Sequence, residues 1–265
     1  MSGFPYRLTG PIGTGATLGL VVLRVDETIE HDFRRMLAGR EDVALHVSRV
    51  ASGDELTAGS IAAMEAELPR AAALLPPAAA FDVLAYACTS GTTLIGVERV
   101  AALLRQGARA THVTDPLTAA LAALAALGAE RVALVSPYIE EVAAPIAAAF
   151  EAAGHRVTAT LSFGEAEEAR VARIDPASIA DAAREAARAP GTQAVFLSCT
   201  NLRTLDIIAP LEAELGLPVL SSNQVLCWHM WRLAGIAPAE RGAPGQFAPG
   251  RIFARAIAPG AKEPR

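Results

Sequence analysis

The sequence predicts an α/β protein of two pseudo-symmetric, Rossmann-like subdomains with parallel sheets, and an active site in the cleft between them. Three observations carry this expectation. Strand-length apolar runs alternate with helical patterns along the chain, an order that calls for parallel sheets covered by helices on both faces. The second half repeats the first: Leu20-Val21-Val22-Leu23 is matched by Val132-Ala133-Leu134-Val135, and Cys88-Thr89 by Cys199-Thr200, at nearly the same offset. The length, 265 residues, suits one large α/β domain or two small ones.

The expected elements follow in order. Leu18–Leu23 is an uninterrupted apolar run, as a strand buried on both faces requires. Thr28–Leu37 follows as a helix whose entry carries Asp26 and Glu27, residues that cap a helix or favour its dipole. Strand Val43–Val47, helix Gly59–Leu75, strand Val83–Ala87, helix Leu94–Gln106 and strand Ala110–Val113 complete the first half. Helix Leu117–Leu127 then leads to strand Val132–Ser136, helix Glu140–Ala153, strand Arg156–Thr160, helix Ser178–Arg188 and strand Ala194–Ser198. Helix Arg203–Leu215, strand Pro218–Leu220 and helix Gln224–Ala234 close the pattern. Gly107, Gly128, Gly154, Gly216 and Gly235 each stand just past a periodic run, where helices end. The expected division is a first subdomain of residues 1–115 plus 223–240, a second of 116–222, and an extended tail, 241–265, rich in Gly, Pro and Ala.

Composition narrows the function. The net charge of −5 argues against nucleic acid or an anionic membrane as partner. No basic region followed by an apolar one stands at the start, and runs such as Leu117–Leu127 are too short to span a bilayer. A cytoplasmic setting, where free thiols survive, is expected. Three cysteines without Cys-x-x-Cys or paired-His spacing predict neither a disulfide framework nor a metal site. Gly10-Pro11-Ile12-Gly13-Thr14-Gly15 lacks a Lys-Ser/Thr and precedes the first strand, so it is not a phosphate loop.

The chemistry is expected at Cys88 and Cys199. Each ends an apolar strand run and precedes a segment that can start a helix, the position facing the ligand crevice of open α/β sheets. Helix N–H groups beside the sulfur would favour thiolate. Cys227, in Val225-Leu226-Cys227-Trp228, reads as a buried small hydrophobe. His112 lies before Thr114-Asp115-Pro116, either near the cleft or packed; His229, between two tryptophans, reads as core or interface.

Cys88-Thr89-Ser90-Gly91-Thr92 and Ser198-Cys199-Thr200-Asn201 resemble the aspartate/glutamate racemase superfamily, in its maleate cis–trans isomerase and arylmalonate decarboxylase branch. The likeness runs from Gly19 to about Gly235. It implies a cofactor-independent enzyme with Cys88 as nucleophile or base and Cys199 as the opposing acid or base. It further implies that Thr89, Ser90 and Thr200 cradle a substrate carboxylate with Tyr138. The branch's decarboxylases keep only the second cysteine, so both together favour an isomerase or racemase.

The first strand departs from the branch. Where its isomerases carry an Asn that holds a carboxylate, this chain has Asp26, in Leu23-Arg24-Val25-Asp26-Glu27-Thr28. Acidic residues recur at Glu165-Ala166-Glu167-Glu168. Asp26 either recognises substrate or caps the helix. The Asp-Glu-Thr-Ile-Glu segment resembles family members found with ectoine and hydroxyectoine breakdown, whose substrates pair an amidinium with a carboxylate. The expected substrate is thus a small carboxylate, of hydroxyectoine-like class. Maleate isomerisation proper, arylmalonate-type decarboxylation and ligand binding without turnover are the alternatives. A homo-oligomer is expected.

Overall fold

In the computed structural model residues 3–55, 57–236 and 247–254 are described. The first sheet holds β1 (Ala16–Leu23), β2 (Val43–Val50), β3 (Phe81–Ala87) and β4 (Ala110–Thr114). The second holds β5 (Arg131–Ser136), β6 (Arg156–Ser162), β7 (Ala194–Leu197) and β8 (Val219–Ser221). Their strand orders, β2-β1-β3-β4 and β6-β5-β7-β8, are one permutation used twice, and every pairing is parallel. Both sheets place the ends of central strands side by side, β1 with β3 and β5 with β7. That is where an open α/β sheet offers a crevice. The α/β class with two parallel sheets is therefore as the sequence predicts, and all eight expected strands are present.

Residue types explain the burial. β1 is buried at every position and β7 likewise, as central parallel strands covered on both faces must be. β4 and β6 are edge strands and carry half-exposed or exposed residues, His112 among them. The helices are α1 (Ile29–Met36), α2 (Ala58–Ala73), α3 (Thr89–Ile95), α4 (Val97–Gly107), α5 (Pro116–Leu127), α6 (Glu140–Ala152), α7 (Glu168–Val171), α8 (Pro176–Ala187), α9 (Ile208–Leu215), α10 (Ser222–Ala234) and α11 (Arg251–Ala254). Asp115 caps α5 through the Thr118 N–H at 2.9 Å, and Ser221 with Gln224 forms a capping box on α10. Helix α10 leaves the second sheet at β8 yet packs against α5, β3 and α1. Of the expected tail, residues 247–254 lie against α10: the Pro249 carbonyl accepts from Gln224 Nε2 at 2.7 Å, and Phe253 meets Trp231 edge-on. The rest of the tail lies outside the described residues.

Two expectations need correction. The helix expected at Leu94–Gln106 is two helices broken at Gly96, whose φ of 95° suits glycine alone. Gly107 does not end its helix through a left-handed turn, as Gly128, Gly216 and Gly235 do. It is a packing glycine: a Cβ there would stand 2.2 Å from the Pro69 carbonyl oxygen and 2.7 Å from Ala72 Cβ. Helix α4 approaches α2 that closely only without a side chain. Gly107→Ala is expected to cost about 1–3 kcal/mol through overpacking, read as a lower urea midpoint at unchanged slope.

Candidate active site

A group of buried polar residues collects at the C-terminal ends of the central strands. Cys88 follows β3 and takes the N-cap of α3, receiving the Gly91 N–H at 3.2 Å and standing 3.6 Å from Ser90 Oγ. Cys199 follows β7 and receives the Asn201 N–H at 3.4 Å. Each sulfur also has a tyrosine: Tyr138, just beyond β5, donates to Cys199 and faces Cys88 as well. The Tyr86 hydroxyl stands between Cys88 and Met64 Sδ, 3.8 Å from the latter. The two halves thus build the same thiol environment twice, one backbone N–H and one phenol each.

This packing is tight. A Cβ on Gly91 would stand 2.5 Å from the Tyr86 hydroxyl and 3.0 Å from Cys88 Sγ, so the glycine lets α3 bring its N–H to the sulfur. Cys199 is the non-glycine residue at positive φ among those described, at 153°. Such backbone costs about 1–3 kcal/mol and tends to cluster at sites where geometry serves function. It is held by the Cys199 N–H donating to Ser222 Oγ at 3.1 Å. Ser222 Oγ also pairs with Thr89 Oγ1 at 2.8 Å, tying the first half's Cys-Thr to the second half's.

Burial overrides the expected thiolate character. It pushes the Cys88 thiol up to about 11, against the lowering by Ser90 and the Gly91 N–H, and the Glu168 charge pushes the same way. Cys199 is likewise pushed well above the ordinary thiol range, by burial first and then by Glu168, with Tyr138 and the Asn201 N–H opposing. Both cysteines are protonated at rest near neutral pH. The N-terminus of α3 supplies one hydrogen bond to Cys88, too little against full desolvation. The helix start expected after Cys199 is instead a turn, which supplies the Asn201 N–H; α9 begins only at Ile208.

Asp26 takes the capping role, one of the two the sequence suggested. Oδ1 accepts the Thr28 and Ile29 N–H groups at 2.8 and 2.9 Å, which caps α1. Oδ2 is buried and unpaired: the Thr200 hydroxyl beside it donates to the Ala87 carbonyl at 3.4 Å. Burial raises its pKa in spite of the two N–H groups. Glu168, at the start of α7, is also buried and held at about 7, chiefly by desolvation and then by the Asp26 charge. Asn201 Nδ2 donates to Glu168 Oε2 at 2.8 Å, and Asn201 Oδ1 accepts the Glu27 N–H at 2.9 Å.

The structure thus brings Cys88, Cys199, Asp26, Thr89, Ser90, Tyr138 and Thr200 to one place. Glu168, Asn201, Tyr86, Ser222 and Asn223 join them without having been singled out as site residues. Cys227 is buried in α10, with its thiol pushed far up by burial. His229 is packed, bonded through Nδ1 to Thr114 Oγ1 at 2.8 Å, and burial holds it at about 4. His112 is exposed on β4, neither packed nor in the cleft. No group of His, Cys, Asp and Glu among the described residues is arranged to hold a metal ion, and none of the described helices is long and apolar enough to cross a membrane.

Known proteins resemble this chain in sequence and fold. The arylmalonate decarboxylase family model matches residues 61–247, most of the chain and both cysteines. The chain belongs to this family. Arylmalonate decarboxylase of Bordetella bronchiseptica is 38% identical over 141 residues, 53% of this chain and 57% of that protein. The maleate isomerase of Geobacillus stearothermophilus is 28% identical over 77% of this chain and 86% of its own length. Among solved structures, a cysteine-to-serine mutant of Nocardia farcinica maleate cis–trans isomerase with a covalently bound succinylcysteine superposes with a TM-score of 0.79. It is 25% identical, and the match covers 90% of this chain and 98% of that one. A liganded arylmalonate decarboxylase carrying a Gly-to-Cys and a Cys-to-Ser change gives 0.72 at 29% identity over 90% of this chain and 98% of that one. This family is one of enzymes, and covalent cysteine chemistry occurs in it. The family match begins after β1, so Asp26 lies outside it.

Proposed function

We propose that this family member is a cofactor-independent two-cysteine isomerase or racemase acting on a small carboxylate. The observation that carries the reading is the pair of thiols, each at a strand end, both faced by Tyr138 and linked across the halves through Thr89, Ser222 and the Cys199 N–H. Cys88 is the nucleophile or base and Cys199 the opposing acid or base; Thr89, Ser90, Thr200 and Tyr138 receive the carboxylate. Epimerisation α to a carboxylate removes a proton on one face and returns one on the other. Cis–trans isomerisation instead adds a thiolate to one alkene carbon and a proton to the next; rotation and elimination of both restore the thiolate. A decarboxylase needs one such cysteine, and a binding protein needs none.

The finer reading is a hydroxyectoine-like cyclic amino acid, its carboxylate in the Thr-Ser cradle and its amidinium on Asp26, whose Oδ2 is unpaired. The test is proton NMR in D₂O with hydroxyectoine and maleate in parallel. Cys88-dependent deuterium uptake or epimerisation of hydroxyectoine, with maleate inert, is expected. Conversion of maleate to fumarate instead would make the protein a maleate isomerase and Asp26 a helix cap. Inertness of both substrates with both cysteines intact would refute the proposed substrate class.

A further inference from the structure

Among the described residues the cleft carboxylates have no dedicated counter-charge. Asp26 and Glu168 are both buried and raise each other's cost of ionising. The cation that acts on Asp26 is Arg49, whose guanidinium is spent elsewhere. Its Nη1 donates to the Leu23, Arg24 and Asp26 carbonyls, and its Nη2 to Glu30. The groups that act on Glu168 are Asn201 and Asp26, and it in turn bears on Cys88 and Cys199. Among the described residues no Lys or Arg reaches it.

Unpaired acceptors point the same way. Asp26 Oδ2 has no donor, and Asn223 Oδ1 has none either. Asn223 is fixed beside the site by donating to the Thr200 carbonyl at 2.8 Å and to Asp32 at 2.8 Å. On Glu168 the bonds from Asn201 reach Oε2 and the backbone carbonyl. One asparagine therefore clasps Glu168 with its amide N–H while its carbonyl fixes the backbone beside Asp26. Buried acceptors without donors are expensive unless a ligand supplies the donors, and buried carboxylates call for a cation.

Resting on the isomerase reading, we propose that Glu168 and Asp26 jointly form a cation subsite that selects an amidinium- or ammonium-bearing carboxylate and rejects dicarboxylates. Glu168, which touches the cationic group, is the specificity-determining residue that the Asp26 reading alone leaves out. A dianion would bring a second negative charge to two carboxylates with no counter-ion; a zwitterion supplies the missing donors.

Calorimetric titration of the full chain with hydroxyectoine and with maleate tests this. Wild-type protein is expected to bind hydroxyectoine at least tenfold more tightly than maleate, and more tightly at pH 8 than at pH 5.5, where Glu168 gains a proton. Glu168→Gln keeps the acceptor for Asn201, and Asp26→Asn keeps the acceptor for the α1 N–H groups. The first is expected to weaken hydroxyectoine at least tenfold; the double variant is expected to gain maleate affinity at least tenfold. Maleate bound as tightly as hydroxyectoine by the wild type, or double-variant affinities within twofold of wild type for both probes, would overturn the subsite, as would binding of neither probe. Since binding is read without turnover, selective binding with no Cys88-dependent chemistry would remove the isomerase reading and leave the subsite standing.

Discussion

Cys88→Ser and Cys199→Ser are each expected to lower turnover by about a thousandfold or more, with the fold intact. Serine is slightly smaller and keeps a hydrogen-bonding group, so Gly91 and Asn201 retain an acceptor. The chemistry does not survive the exchange. A hydroxyl is far less acidic than even a buried thiol and a poor leaving group, so covalent addition stops and proton transfer slows. The resting thiols make the expectation sharper. Cys88 sits at about 11, so the protein must deprotonate it with substrate in place, and a group harder still to ionise has no route. NMR turnover in D₂O with thermal melts checks both halves of the statement. A Cys88→Ser variant with wild-type turnover would dismiss the two-thiol mechanism. Unequal losses would rank the two roles: removing a covalent nucleophile stops the reaction, whereas water can replace a proton donor in part.

Much of this was legible in the sequence because its physics is local. Continuous apolar runs bounded by turns mark β1, β3, β5 and β7, and the repeated Cys-Thr marks the strand ends that matter. What escaped depends on tertiary burial. The helix start expected after Cys88 is present in α3, whose first four residues are buried against the cleft, whereas the one expected after Cys199 is a turn and α9 begins only at Ile208. The acidic stretch of residues 165–168 is noticeable in sequence, but which of its carboxyls enters the site is not: Asn201 holds Glu168 inside while Glu165 and Glu167 stay near solvent. Tyr86 reads as one more core residue of β3, because nothing in the spacing shows that its hydroxyl reaches a sulfur. The thiolate expectation failed for the same reason: a helix start is visible in sequence, and the depth of a cavity is not.

Stability is expected to fall as pH rises from about 4 to 7, and Asp32→Asn is expected to remove much of that fall. Asp32, on α1, is buried and held at about 7 by desolvation, with the Asn223 amide and Arg35 opposing and Asp26 and Asp206 adding to the rise. Glu168 is held at about 7 as well. A carboxyl with a raised folded pKa binds more protons folded than unfolded between the two values. Its contribution is whole below the unfolded value near 4 and is lost as pH climbs through 7. A tenfold change in proton affinity corresponds to about 1.4 kcal/mol, so full ionisation of either group costs roughly 3–4 kcal/mol before relaxation reduces it. His229, held at about 4, works against this at lower pH. There the unfolded chain takes up the extra proton, so its share rises with pH up to about 6.5 and then stays flat. The surface pairs such as Arg173 with Glu27 and Arg184 with Glu214 are exposed and add little. The descent therefore runs from about 4 to 7, partly offset by His229 up to about 6.5, and levels off above about 7, where both buried carboxyls are already ionised. Asn in place of Asp32 still accepts from Asn223 and cannot ionise. Urea unfolding should show the variant matching wild type near pH 4 and exceeding it by about 2–4 kcal/mol at pH 8. A constant difference across that range would mean that Asp32 is ionised in the fold throughout, with its charge accommodated by Asn223 and Arg35.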